Sequence, residues 1–494
     1  MSPDEQPLTP QLRALDEDGC QRIHAAALRI LSEIGTEVLA PEGRQLLLAA
    51  GCAEAADGRS LCIPDRLIAD ALASAPSTFG VFDRDGQLAM ELGGRRSYFG
   101  TGSDLLFTLD GGYDAPSAAE HRRSVVDDVR RAARLADALD NLDFVMSSAN
   151  PDDVPPRLAY LVSFRIMVEN TTKPLVCTAE SAVDLQAMWR MAVALRGSDL
   201  ALRDRPYFIH YCEPLSPLRH TAEAVDKLLL CAERAIPVVY SPAPMAGSTA
   251  PMTVAGHVAQ GVAECLAGLV LHQLRAPGAP FLFGMGPAVL DMRTAECSYS
   301  APEYFLAYLA VHDLAHHYDL PSWGYAGTSD AQLPDEQASF EAGIQTALSL
   351  MVGANLNHDV GYLNFGKTGC LEMLVICDEQ IAMLRRVMRG IVLDDDQLAV
   401  EAVADTTRKG GNFLSHPHTR KHVRTTQWRP QLSSRLGHAA WRQDGALTLR
   451  ERAHQRVKTL LADHEPAPLP AELSQALGEI VEELRAELEP QSDR

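Results

Sequence analysis

Between residues 116 and 390, apolar positions fall into two alternating patterns. Longer segments carry them at three- and four-residue spacing, the period of an amphipathic helix. Short segments carry them consecutively, as in strands buried on both faces. The helical segments are 117–139, 154–170, 181–196, 220–235, 253–275, 302–319, 335–351 and 370–390. Between them stand the runs Leu142–Met146, Pro174–Thr178, Tyr207–Tyr211, Pro237–Ser241, Phe281–Met285, Ser322–Ala326 and Ala354–Val360. Those are seven strands, and Tyr98–Leu109 supplies an eighth. Such alternation predicts an α/β protein with a parallel sheet and right-handed crossovers. Eight units over this length fit a closed (β/α)8 barrel of TIM type. An open doubly wound sheet is the alternative. No G-x-G-x-x-G follows a strand, so its dinucleotide-binding version lacks a fingerprint.

The flanks do not repeat. Residues 1–95 predict an N-terminal α+β segment. In it, a helix over Asp16–Ile34 stops at Gly35, and helices over Pro41–Ala50 and Pro64–Ala75 open on proline. Phe79–Phe82 and Leu88–Leu92 flank Arg84-Asp85-Gly86 as a hairpin. The barrel occupies 96–390, and 391–494 reads as a charged helical extension ending in the surface helix Ala471–Glu487.

Composition narrows the function. Apolar residues make up 46% of the 494, enough for a large core. The 65 acidic and 44 basic residues leave a net charge of −21. That argues against nucleic acid or an anionic membrane as the main partner and is compatible with a cationic ligand. The ten cysteines form no C-x-x-C pair, so zinc-thiolate and dithiol sites lack their spacing. The start, MSPDEQPLTP, has neither a basic nor an apolar leader region. No uninterrupted apolar run is long enough to span a bilayer. A cytoplasmic protein with reduced cysteines is the expectation.

A parallel barrel presents its chemistry at the C-terminal ends of its strands. Polar groups gather there: His210, Tyr211 and Glu213; Tyr240 and Ser241; Tyr325 and Asp330; His358, Asp359 and Tyr362. Singly, each reads equally as a turn or core residue, and only the clustering favours function. Asp330 also suits a helix N-cap, and Glu336 and Gln337 suit a helix N-terminus. His358 beside Asp359 resembles a base and its orienter, but strand neighbours point to opposite faces. The spacings of His312, His316 and His317, and of His416, His418 and His422, suit a metal. Without carboxylates or cysteines at set positions, solvated or capping roles are favoured and no metal site is expected. Lys367 lies just past a strand end, where a Schiff-base lyase or aldolase would keep its lysine.

Several longer motifs stand in order: YFGTGSD (Tyr98–Asp104), EPLSPL (Glu213–Leu218), PMAGSTAPMTVAG (Pro244–Gly256), DMRT (Asp291–Thr294), WGYAGTSDAQLPDEQA (Trp323–Ala338), GANLNHDVGYL (Gly353–Leu363) and GNFLSHPHT (Gly411–Thr419). Together they resemble the trimethylamine methyltransferase family. The resemblance implies a (β/α)8 barrel that moves a methyl group from a methylated amine to the Co(I) of a separate corrinoid protein, with no tightly bound cofactor of its own. Some members carry pyrrolysine. The corresponding loop here, Asp330 to Gln337, is ordinary, as in members acting on quaternary amines such as glycine betaine. For such a cation the implied rings are Tyr98, Phe99, Tyr211, Tyr240, Tyr325 and Tyr362, and the charges are Asp104, Glu213 and Asp330. Gln337 joins them as substrate-binding, and His210 or His358 could meet a carboxylate. Asp330 and His358 are the expected catalytic residues. The alternatives are a betaine-binding or sensing protein on the same barrel, or a barrel lyase using Lys367 or His358. The expected partners are a methylated amine and a corrinoid protein, with self-association left open.

Overall fold

Short apolar runs and long amphipathic segments become strands and helices in the predicted order. The computed structural model describes residues 9–111 and 119–488. The first eight residues of the leader reading, the start of helix 117–139 and the last residues of the tail lie outside it. The parallel strands are β1 (Tyr98–Phe99), β2 (Leu175–Cys177), β3 (Phe208–Cys212), β4 (Val238–Tyr240), β5 (Phe281–Leu282), β6 (Trp323–Tyr325) and β7 (Leu356–His358). The run read as Leu142–Met146 reduces to single bridges at residues 144 and 145.

All the pairings in this set are parallel. Gly100 pairs with Phe144 and Val145 with Leu175. Leu175 pairs with Phe208, His210 with Val238, and Val238 with Phe281. Phe283 bridges to Ser322, Trp323 pairs with Leu356, and Leu356 pairs with Tyr98. The last strand therefore lies beside the first.

Helices Val126–Ala138, Ala159–Asn170, Ala182–Arg196, Ala222–Arg234, Val254–Arg275, Pro302–His317, Glu336–Val352 and Leu371–Met388 connect and cover the strands. Local sequence sets their ends. Ser181 and Asp184 form a reciprocal capping box, and left-handed Gly197 closes that helix. Asp335, rather than Asp330, caps Glu336–Val352 by accepting from the Ala338 N–H. One predicted helix is shorter than its pattern. Residues 119–123 form a strand antiparallel to Phe107–Gly111, and Asp128 accepts from the Val125 N–H to start the helix at Val126.

Alternation along the strands divides the core in two. Val176, Ile209, Val239, Leu282, Trp323, Tyr325 and Leu356 share an inner cluster with Phe144 and Met146. Their neighbours Leu175, Cys177, Phe208, Val238, Tyr240 and Phe281 pack outward against the helices. The predicted hairpin Phe79–Phe82/Leu88–Leu92 adds Val81, Met90 and Leu92 to the inner cluster. The Phe82 N–H donates to the carbonyl of Pro206, just before β3, so the hairpin sits at the N-terminal ends of the strands.

Helix Val254–Arg275 is long and apolar enough to cross a membrane, although polar residues punctuate it and leave no uninterrupted apolar run. Within the protein, 83% of its most apolar window is buried, and it serves as a core helix. The C-terminal extension returns to the strand-bearing part. Its helices Leu449–Asp463 and Ala471–Leu488 bury Ala453, Val457, Leu477 and Val481 in the outer core. His464 Nε2 lies 2.7 Å from Asp137 Oδ2 on the first crossover helix.

Candidate active site

Period-two geometry on β6 turns Trp323 and Tyr325 to the same side, and β7 turns His358 to meet them. The His358 ring stacks on Trp323, with centroids 4.0 Å apart and planes 21° from parallel. Tyr325 lies 4.3 Å from His358, and Tyr211 of β3 lies 6.0 Å away. Tyr304, from the start of helix Pro302–His317, meets Tyr325 edge-on at 6.3 Å and Tyr299 at 5.7 Å. His358 is 6% exposed, and among the described residues neither ring nitrogen makes an aligned hydrogen bond. Nδ1 does lie 2.6 Å from Asp359 Oδ1, an ion-pair distance off the hydrogen-bonding direction.

Asp359 reaches this wall because the strand ends at it. Its φ of +69° is left-handed, so the opposite-face rule of a regular strand stops applying there. Gly102 faces it closely. A Cβ on Gly102 would stand 2.2 Å from Asp359 Oδ1 and 2.2 Å from the Tyr362 hydroxyl, so only glycine fits. The Tyr362 hydroxyl donates to the Ser103 carbonyl at 2.5 Å.

Two further carboxylates complete the wall. Asp104 accepts from Ser103 Oγ at 2.8 Å and from Thr178 Oγ1 at 3.2 Å. Burial nonetheless pushes its carboxyl above the ordinary value, and the charge of Asp359 adds to this. Glu213 accepts from the Tyr211 hydroxyl at 2.9 Å. Burial raises its carboxyl too, with Asp104 adding to the effect. Glu213 is nonetheless exposed to solvent, which weakens that rise, and Asp104, Tyr211 and Tyr299 are half-buried. The Trp323, Tyr325 and Tyr362 rings of this wall are buried, and its Asp104 and Glu213 carboxylates are partly open to solvent. The charge of Asp104 is also the largest influence raising the Tyr160 phenol. Lys227 opposes the rise of both Asp104 and Glu213, and its Nζ donates to the Ala179 carbonyl at 2.6 Å.

Of the expected site residues, Asp104, Tyr211, Glu213, Tyr325, His358 and Tyr362 come together here. Others do not. Phe99, His210 and Tyr240 occupy the opposite strand phase and face the helices. Phe99 lies under the Arg385 guanidinium at 5.6 Å. His210 is fully buried with Nδ1 3.1 Å from the Cys177 carbonyl, and burial holds its pKa well below the ordinary value. The Tyr240 hydroxyl bonds His220 Nδ1 at 2.8 Å beneath Gly268. Tyr98 sits at the opposite end of its strand, where its hydroxyl accepts from the Glu91 N–H of the hairpin. Gln337 is exposed and donates to Glu341 at 2.9 Å.

Asp330 does not point at the rings with a free carboxylate. It accepts from Ser298 Oγ at 2.6 Å and from the Tyr299 N–H at 2.9 Å, which fixes the loop that carries Tyr299. Sequence reasoning left out Trp323, Tyr299 and Tyr160 as site residues, and set Asp359 aside because a regular strand turns it away from His358. Trp323 was legible from its two-residue spacing to Tyr325. Tyr299 and Tyr160 had no such marker.

The trimethylamine methyltransferase (MTTB) family profile matches residues 3–489, nearly the whole chain. This chain belongs to the trimethylamine methyltransferase family. Among curated relatives, a trimethylamine methyltransferase of Desulfitobacterium hafniense is 30% identical over 476 residues, covering 96% of this chain and 95% of that protein. A glycine betaine methyltransferase of the same species is 28% identical over 474 residues, covering 95% of this chain and 96% of that protein. The crystal structure of the Methanosarcina barkeri monomethylamine methyltransferase shares the fold at a TM-score of 0.52 and 14% identity, over 91% of this chain and 89% of that one. Membership bears out the family that the motifs resemble, and with it the methyltransferase reading. Lys367, the candidate for lyase chemistry, is ion-paired with Glu296 at 2.6 Å on a half-open surface.

Proposed function

We propose that the ring of parallel pairings is a (β/α)8 barrel and that the aromatic and acidic wall at its strand ends binds a quaternary methylammonium compound. One methyl group then passes to the Co(I) of a separate corrinoid protein. The observation that carries this is the composition of the wall. Tyr211, Trp323, Tyr325 and Tyr362 stand together with the carboxyls of Asp104, Glu213 and Asp359. A quaternary cation cannot donate a hydrogen bond or lose a proton, so aromatic faces and nearby carboxylates are what recognise it. Each cation–π contact gives roughly 0.5–2 kcal/mol. The raised carboxyls of Asp104 and Glu213 fit the same reading, because a bound cation offsets the cost of their desolvation.

The reaction asks little acid–base work of the protein. The corrinoid Co(I) supplies the electron pair for a new carbon–cobalt bond as the carbon–nitrogen bond breaks. The bonding pair stays on nitrogen, which leaves as a neutral tertiary amine. The chain's own residues hold the cation by its face, keep water from the methyl carbon and leave one side open to the partner. A betaine carboxylate would sit among acidic groups, so it would need a proton on Asp104 or Glu213, or contact with His358. A net-cationic quaternary amine needs neither.

The test is the absorption spectrum of a Co(I) corrinoid protein mixed anaerobically with this protein and a panel of amines. Loss of the Co(I) signal with quaternary compounds, and not with trimethylamine, is the expected result. Methylation from trimethylamine alone would overturn the substrate class. No methylation from any amine, with a cognate corrinoid protein present, would leave a binding or sensing protein.

A further inference from the structure

The histidine-rich segment of the C-terminal extension gains in three dimensions the carboxylate that its local sequence lacks. Helix Pro417–Thr426 carries His418 and His422 one turn apart, on one face. Their rings lie 4.3 Å from centroid to centroid. Asp396, on the short helix Asp395–Leu398, folds against that face from 22 residues upstream of His418. His422 Nε2 lies 3.0 Å from Asp396 Oδ2, yet this buried nitrogen makes no aligned hydrogen bond among the described residues. His418 Nε2 lies 2.9 Å from the Asp396 main-chain carbonyl. One ligand atom from each of the three side chains falls within 4.8 Å of the others. The histidine beside them is spent differently. His416 caps the helix by accepting from the His418 N–H at 3.1 Å.

We propose that Asp396, His418 and His422 form a binding site for one first-row divalent transition cation, of which Zn2+ is the representative. Two imidazoles and a carboxylate favour such an ion over Mg2+ or Ca2+, which take oxygen ligands. Three protein ligands leave a tetrahedral position open to water or to a fourth group. The ion would tie helix Asp395–Leu398 to helix Pro417–Thr426 in a part of the chain that is otherwise mostly exposed. Lys421 Nζ, 2.7 Å from Asp396 Oδ2, holds the carboxylate in the absence of metal and competes with it. The site stands on these residues alone and is independent of the substrate reading.

The test uses the full chain without an affinity tag, stripped with chelator and titrated with Zn2+ by calorimetry. Saturation at one equivalent is expected. His422→Asn and Asp396→Asn should each weaken binding at least about tenfold, and Lys421→Met should tighten it. His24→Asn, away from the extension, should leave binding unchanged. Melting curves and circular dichroism of the metal-free variants establish that they fold. No saturable binding to the wild type would overturn the proposal. So would undiminished binding to a folded protein carrying both His418→Asn and His422→Asn.

Discussion

The imidazole of His358 and the indole of Trp323 are stacked, with centroids 4.0 Å apart and planes 21° from parallel. The pair comes from adjacent parallel strands whose register sets Trp323 against Leu356 and Tyr325 against His358. His358 is therefore part of the aromatic wall, held by rings on two sides. A His358→Asn substitution keeps a polar group but removes that packing. It should lower kcat/KM by at least about tenfold. A stronger fall in melting temperature than in activity would make His358 a packing residue only.

Tyr325 offers a clean test of ring against hydroxyl. Tyr325→Phe keeps the face, whereas Tyr325→Leu removes it. If the face meets a cation, KM should rise about tenfold for leucine, equivalent to about 1.4 kcal/mol, and stay within about threefold for phenylalanine. Steady-state kinetics with a quaternary amine read the difference. Equal KM values for the two variants would remove Tyr325 from the binding face.

Asp330 acts through the loop it holds. Asp330→Ala leaves Ser298 Oγ and the Tyr299 N–H without their acceptor and frees Tyr299 to move. Activity should fall about tenfold or more, while the pH profile of the remaining activity keeps its shape. A shifted profile would instead give Asp330 a proton to transfer.

Asp104 links pH to both stability and binding. Its carboxyl is raised by burial, so its contribution to stability is fully present below the unfolded carboxyl value of about 3.9. That contribution is lost as pH rises through the raised folded value. Asp104→Asn never ionises there. The variant should melt above the wild type at about pH 8, and the gap should close by about pH 4. In the wild type, affinity for a quaternary cation should rise over the same window, and the variant should flatten that rise. Thermal melts and calorimetry across pH check both. A wild-type protein more stable than the variant at high pH would reverse the sign.

Lys367 should be dispensable for chemistry. Its pairing with Glu296 is a surface bridge, worth roughly 0–1 kcal/mol. Lys367→Ala should retain activity within about threefold, and borohydride with substrate should trap no adduct on the wild type. A trapped adduct at Lys367 would revive the lyase alternative.

The strand–helix alternation was legible because consecutive apolar runs and helical periodicity rarely coincide by chance. The phase within each strand was not. A strand buried on both faces is apolar throughout, so nothing in the run marks which neighbour faces inward. That is why Phe99, His210 and Tyr240 were expected beside the substrate and pack outward instead. Asp359 was discounted for the opposite reason. Regular strand geometry turns it away from His358, and only its left-handed backbone, with φ of +69°, returns it. The small-residue loop Gly100–Asp104 interrupts the run 98–109 in the sequence, and in the structure it separates Tyr98–Phe99 from Phe107–Gly111, with Asp104 left-handed at φ of +65°. Asp396 joins His418 and His422 across 22 residues, a separation that no local spacing rule detects.

The central claim is that the proposed site selects a positive quaternary nitrogen rather than merely its shape. Two pairs of compounds isolate the charge: choline with tert-butylethanol, and glycine betaine with tert-butylacetic acid. In each pair a carbon replaces the nitrogen at nearly constant volume. Calorimetric titration of the wild-type protein should give at least about tenfold tighter binding for the charged-nitrogen member of at least one pair, the equivalent of about 1.4 kcal/mol. Equal or tighter binding of the carbon compound in both pairs would contradict the account.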